Sequence, residues 1–171
     1  STRSIYNRFK RMDKIMTFEE IHKTYWPKVY RQCIGYVNDP DDAKDLAQET
    51  FIKVWQQLPK FRNESSISTW IFRIAVNTCL RQIEKDKRMP KSEFPVEIAT
   101  EVSDNKEPEV QFLHQCISEL PEIERIIISL ELEDLKQKEI AKIVGLSESN
   151  VRVKIHRIKE KLTKKFQQHD R

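Results

Sequence analysis

From Thr17 to about Arg88, apolar residues recur every three to four positions, the spacing of helices with one buried stripe. Thr17 is a suitable N-cap, and Glu20 three residues on completes a capping box, so a first helix is expected to reach about Val37. The stretch NDPDDA then supplies a turn and caps for a second helix from about Asp41 to Leu58, which Pro59 ends. KFRNESSIS reads as a loop, and a long helix is expected from about Ser68 to Lys87. Beyond Met89 the period disappears. Residues 89–108 are acidic, carry three prolines and read as an extended linker. Helical spacing resumes near Glu109, with Leu120-Pro121 as a break and Pro121 suited to the first turn of the next helix. The pattern predicts an all-α chain of two small helical domains, about 17–88 and 109–167, after a basic N-terminal extension over 1–16.

The C-terminal unit carries a more specific pattern. A short helix is expected over Gln137–Val144, with Ile140, Ala141 and Val144 on one face. Gly145 suits the left-handed conformation of a sharp turn, Leu146 can plug the gap between helices, and Ser147 is a good N-cap for a second helix. This is the order of a helix-turn-helix. On its second helix Val151, Ile155, Ile158 and Leu162 form the buried stripe. Ser149, Arg152, Val153 and His156 share the opposite face with Arg157 beside it, and the first turns of such a helix enter a major groove. Arg152 and Arg157 have the donors to fork to guanine or clamp phosphate. Val153 is unexpected on a solvated face and fits a thymine methyl; the bland alternative is a basic outer face that is only solvated charge.

Composition supports helices. Two glycines in 171 residues are too few for the turns of a sheet protein. The net charge of +4 hides an uneven distribution. Residues 81–91 hold five Lys/Arg against two acids, residues 148–166 seven against two, and residues 91–109 between them two against six. Cys33, Cys79 and Cys116 are odd in number and lack CxxC spacing, so free thiols are expected, without a disulfide framework or metal site. No apolar run approaches a membrane span, and the first residues do not read as a signal peptide. The expectation is a soluble, cytoplasmic protein without cofactor.

Two features of the N-terminal unit are chemically unusual. On the second helix Ala43, Leu46, Ala47, Phe51, Val54 and Leu58 make the apolar face, while Ile52 falls opposite, amid Asp45, Gln48, Glu49 and Gln56. A large apolar group ringed by acids and amides has the make-up of a partner-binding spot; the bland alternative is an ordinary exposed aliphatic. On the third helix Arg73, Asn77, Arg81, Glu84 and Arg88 form one polar stripe that begins inside an apolar zone. Before it lie Phe61, Arg62, Asn63, Ser65 and Ser66, small polar groups beside aromatics, a composition suited to holding an unstacked base. The bland alternative makes Asn77 a satisfied core amide and Trp70 a core aromatic.

Together these segments resemble the extracytoplasmic-function sigma factors, promoter-specificity subunits of bacterial RNA polymerase. DAKDLAQETFIKVWQQLPKFR is similar to the segment that docks on the clamp helices of the polymerase largest subunit. FRNESSISTWIFRIAVNTCLRQIEKDKR is similar to the segment that melts and reads the −10 element, and residues 120–162 to the −35-reading domain. The resemblance implies polymerase contacts at Asp45, Gln48, Glu49, Ile52 and Gln56. It implies −10 contacts at Arg62, Asn63, Ser65, Ser66, Arg73, Asn77, Arg81 and Arg88. It implies −35 contacts at Ser149, Asn150, Arg152, Val153, Lys154, His156 and Arg157. Its partners would be core polymerase, through the clamp helices and the flap region, promoter DNA, and an anti-sigma factor. Asn150 stands where that family usually has Thr, and Val153 where a small polar residue is usual; both departures bear on −35 preference. The chain would be a binding subunit, not an enzyme, with a free-standing dimeric helix-turn-helix regulator as the alternative.

Overall fold

The computed structural model describes residues 16–88 and 107–170, so most of the expected N-terminal extension and linker lie outside the described residues. Among the described residues there are seven α-helices and one 3-10 turn, and no strand. Helix α1 spans Phe18–Val37, α2 Pro40–Gln57 and α3 Ile67–Arg88, with the 3-10 turn Leu58–Lys60 after α2. Helices α4 (Pro108–Ser118), α5 (Glu122–Leu132), α6 (Gln137–Val144) and α7 (Glu148–His169) complete the chain order.

Local chemistry sets these boundaries. The Thr17–Glu20 capping box is formed in both directions: Glu20 N–H donates to Thr17 Oγ1 at 3.3 Å, and Thr17 N–H to Glu20 Oε2 at 3.2 Å. Asn38 closes α1 in the left-handed region at φ 52°. Asp39 then caps α2, its Oδ1 accepting from the N–H groups of Asp41 and Asp42 at 2.9 and 3.0 Å. Pro121 stands one position earlier than expected: it is the residue before α5, in extended backbone, and not part of its first turn. A proline holds that extended conformation as readily as a first-turn one, so the pattern alone did not separate the two.

Helices α1, α2 and α3 pack around Ile21, Val29, Cys33, Phe51, Phe72 and Val76. Helices α4 to α7 pack around Ile117, Ile126, Leu130, Ile140, Val151 and Ile158. The two groups meet: α1 lies against α4 and α5, and α3 against α6. All three cysteines are buried free thiols, and the Cys33 and Cys79 sulfurs stand 3.8 Å apart between α1 and α3.

Candidate nucleic-acid interface

The face of α2 that packs inward is the expected one, with Leu58 only half-buried and Thr50 added, its hydroxyl donating to the Leu46 carbonyl at 2.7 Å. Asp45, Gln48, Glu49, Ile52 and Gln56 all lie on the exposed side. Ile52 is 57% exposed. Trp55, which the pattern did not single out, is 62% exposed beside it. The signal was present: three positions from Ile52 lie only about 60° round the helix. Glu49 is also partly engaged, pairing with Lys53 at 3.1 Å while Lys53 donates to Thr78 Oγ1 at 3.3 Å. At the start of α2, burial and the carboxylates of Asp39 and Asp86 raise the Asp42 pKa above the ordinary range.

The loop before α3 is pinned to that helix. Phe61 and Trp70 have ring centroids 4.7 Å apart, and both are half-buried. Asn63 takes φ 56°, a left-handed turn that Asn tolerates. Ser66 proves to be a cap: its Oγ accepts from Thr69 N–H at 3.2 Å and its hydroxyl donates to Thr69 Oγ1 at 2.9 Å. Arg62 and Asn63 are exposed and Ser65 is half-buried. Along the stripe Asn77, Arg81, Glu84 and Arg88 are exposed, so Asn77 is not a core amide. Arg73 is half-buried and directs Nη2 to the Lys142 carbonyl at 3.5 Å. Trp70 is tied to the loop, and Asn77 stands seven residues on, about 10 Å along the axis. The predicted −10 residues therefore line one elongated face rather than one pocket.

The helix-turn-helix is built as its residues dictate. Gly145 ends α6 at φ 73°, and its N–H donates to the Ala141 carbonyl at 2.9 Å. Ile143, not Val144, completes the buried face of α6; Val144 is only half-buried. The cause is that α6 is covered on two sides, by α7 and by α3, which widens its buried arc. Ser147 Oγ accepts from Asn150 N–H at 3.2 Å, starting α7. Val151, Ile155, Ile158 and Leu162 are buried, while Ser149, Asn150, Arg152, Val153, His156 and Arg157 are exposed and Lys154 is half-buried.

Electrostatics divide the cations of α7. Lys159, Lys161 and Lys165 reach back to Glu131, Glu124 and Glu119 at 3.1, 3.0 and 2.6 Å, so their charge is offset within the protein. Arg152 lies 3.9 Å from Glu148, and His156 3.1 Å from Glu160. Lys154 and Arg157 form no ion pair among the described residues and remain available for an external anion.

One chain thus carries an acid-and-amide face with an apolar centre, a polar stripe beside pinned aromatics, and a helix-turn-helix whose second helix has an exposed basic face. Residues 21–89 match the family model for sigma-70 region 2, and residues 113–162 that for sigma-70 region 4. The chain is 32% identical to the RNA polymerase sigma-H factor of Pseudomonas aeruginosa over 179 residues, covering 95% of this chain and 92% of that one. It belongs to the sigma factors. Within them it is of the extracytoplasmic-function (ECF) type: it is 31% identical to the ECF RNA polymerase sigma-E factor of Haemophilus influenzae, covering 96% of this chain and 94% of the relative. The fold of this sigma factor is shared with the sigma factor RpoE of Bartonella quintana, solved with the anti-sigma factor NepR, at a TM-score of 0.72 and 20% identity over 86% of this chain and 94% of that chain. The sigma factor binds RNA polymerase and directs initiation at promoters. A free-standing repressor would leave region 2, most of the first half of the chain, without a role.

Proposed function

We propose that this sigma factor docks on core polymerase through the outer face of α2 and reads its promoter with two separate surfaces. The observation that carries the docking reading is the exposure of Ile52 and Trp55 amid acids and amides. A desolvated apolar centre with a polar rim is where binding energy concentrates. Asp45, Gln48, Glu49 and Gln56 form the rim toward the clamp helices of the largest subunit, and region 4 meets the flap region. On α3 and the loop before it, Arg62, Asn63, Ser65, Arg73, Asn77, Arg81 and Arg88 meet the −10 element, and Ser66 holds the loop in shape. Capture of an unstacked base there offsets the few kcal/mol that unpairing costs. On α7, Arg157 and Lys154 contact phosphate, while Ser149, Asn150, Arg152, Val153 and His156 face base edges of the −35 element.

The chain is a binding subunit, and phosphoryl transfer belongs to the polymerase. Neither DNA surface need bind tightly alone, because polymerase holds both and raises their effective concentration. No helix among the described residues is long and apolar enough to cross a membrane, which accords with action in the cytoplasm beside polymerase. An anti-sigma factor is a further expected partner, supported by the likeness to a sigma factor solved with one. The test is run-off transcription with reconstituted core polymerase over a randomised promoter library. Specific initiation at paired −10 and −35 sequences is expected. A DNA-binding dimer that never co-purifies with polymerase would overturn the reading.

A further inference from the structure

The side chain of Lys53 is only 23% exposed, although it leaves α2 one position after the outward Ile52. Its ammonium has two partners. It pairs with Glu49 Oε1 at 3.1 Å on its own helix, and it donates to Thr78 Oγ1 on α3 at 3.3 Å. The Thr78 hydroxyl in turn donates to the Ile74 carbonyl at 2.8 Å, which uses its proton and leaves a lone pair to accept from Lys53. Thr78 is buried, whereas Asn77, the residue before it, is exposed. A chain of polar contacts therefore runs from the carboxylate rim of α2 to the residue adjoining Asn77.

Helices α2 and α3 pack against each other along their length, yet among the described residues the Lys53–Thr78 contact is the only side-chain hydrogen bond between them. Where the start of α2 meets the end of α3, Asp42 and Asp86 oppose each other with like charge. The rest of the contact is apolar, and apolar burial is non-directional. A hydrogen bond has a set length and angle, so it fixes rotation about the helix axis as well as distance. Side-chain tips lie ~5–6 Å from a helix axis, so a turn of α3 by about 20° would move the Asn77 amide by about 2 Å. A hydrogen bond to a captured base does not survive that displacement.

We propose that Lys53 is a positioning residue for promoter opening: through Thr78 it sets the rotation of α3 on α2, and so holds the Asn77 face at a fixed place relative to docked polymerase. On the docking reading, polymerase grips α2 and not α3. Whatever places α3 on α2 therefore places the base-capturing side chains on the enzyme. Lys53 acts through Thr78 and touches no base itself. This rests on the docking and −10 assignments above, and its test tells their failure from its own.

The measurement is the rate of promoter opening by holoenzyme assembled from core polymerase and full-length variants, followed by permanganate reactivity. It is made at a temperature where circular dichroism shows every variant fully folded. Lys53→Met keeps an unbranched side chain and removes its charge and donors. It should slow opening by at least about fivefold, while core affinity stays within about threefold of wild type. Thr78→Val removes the acceptor at nearly constant shape and should slow opening to a similar degree. Thr78→Ser keeps the hydroxyl and should stay within about twofold of wild type. The double variant Lys53→Met/Thr78→Val should be no slower than the slower single variant, because both changes remove one contact. Normal opening by Lys53→Met, equal slowing by Thr78→Ser and Thr78→Val, additive losses in the double variant, or a core affinity that falls as far as the opening rate would each overturn the positioning role. Asn77→Ala in the same assay separates this role from the reading beneath it. If Asn77→Ala opens slowly and Lys53→Met opens normally, only the positioning role falls. If Asn77→Ala opens as fast as wild type, the −10 assignment falls and the positioning role with it.

Discussion

Ile52 and Trp55 stand three positions apart on the outward side of α2, 57% and 62% exposed, on a helix whose inner side is closed from Ala43 to Val54. On the docking reading proposed above, core polymerase covers these two large apolar groups. Trp55→Ala should weaken core-polymerase binding roughly 30-fold, about 2 kcal/mol, with Ile52→Ala somewhat milder. Far-ultraviolet circular dichroism should not change. Unaltered affinity in both variants would return this face to ordinary surface.

Asn77 is exposed on α3, so Asn77→Ala should leave thermal stability within about 0.5 kcal/mol of wild type. The rate of promoter opening, monitored by permanganate reactivity of unpaired thymines, should drop about tenfold. Normal opening would remove Asn77 from the base-capturing face.

The cations of α7 should separate in a salt titration. Arg157 has no acid partner among the described residues, and Arg157→Ala should flatten the slope of log K against log salt by about 0.9, the loss of one phosphate contact. Lys161 is paired with Glu124, so Lys161→Ala should leave that slope unchanged and cost at most about 1 kcal/mol of stability. If Arg157→Ala instead relaxes one base preference at constant slope, the side chain reads a base edge.

Gly145 occupies φ 73° with open space where a Cβ would go, so its replacement is a conformational penalty and not a clash. Gly145→Ala should cost about 1–2 kcal/mol. Gly145→Asn should recover much of that, because Asn visits the left-handed region more readily. Differential scanning calorimetry distinguishes the two variants; equal stability of all three proteins would mean the turn is not held at positive φ.

The Cys33 hydrogen bond and burial together raise the Cys79 thiol well above its ordinary range. The unfolded chain loses that proton near pH ~8.5 while the folded chain retains it. Folding stability from this group is therefore complete below that pH and declines as pH rises above it. The thermal midpoint should fall between pH 8 and 9.5, and Cys79→Ala should make that decline shallower. An identical slope in the variant would place the alkaline sensitivity elsewhere.

Much of this architecture was legible in the chain. Thr17, Ser147 and Gly145 occupy the cap and turn positions read from their side chains, since capping is decided within a few residues. The stripe Val151, Ile155, Ile158 and Leu162 is buried as its period requires. Errors arose where a second element intervened. Val144 lost its place to Ile143 because α3 covers α6 from another side, and Ser66 became a cap because its hydroxyl meets Thr69. Trp55 went unremarked because it lies on the flank between the buried arc and Ile52.

By itself, the sequence determined the helices, their ends, the outward Ile52 and the exposed polar face of α7, because these depend on short-range periodicity and local hydrogen bonds. Tertiary structure alone decided which cations remain unpaired and what Gly35 is for. Lys161 and Arg157 look alike in the chain, but only one lies within reach of a glutamate 37 positions away. Gly35 is a weak point in a helix until α5 is brought against it, because the reason for its missing side chain belongs to Ser129, 94 positions on.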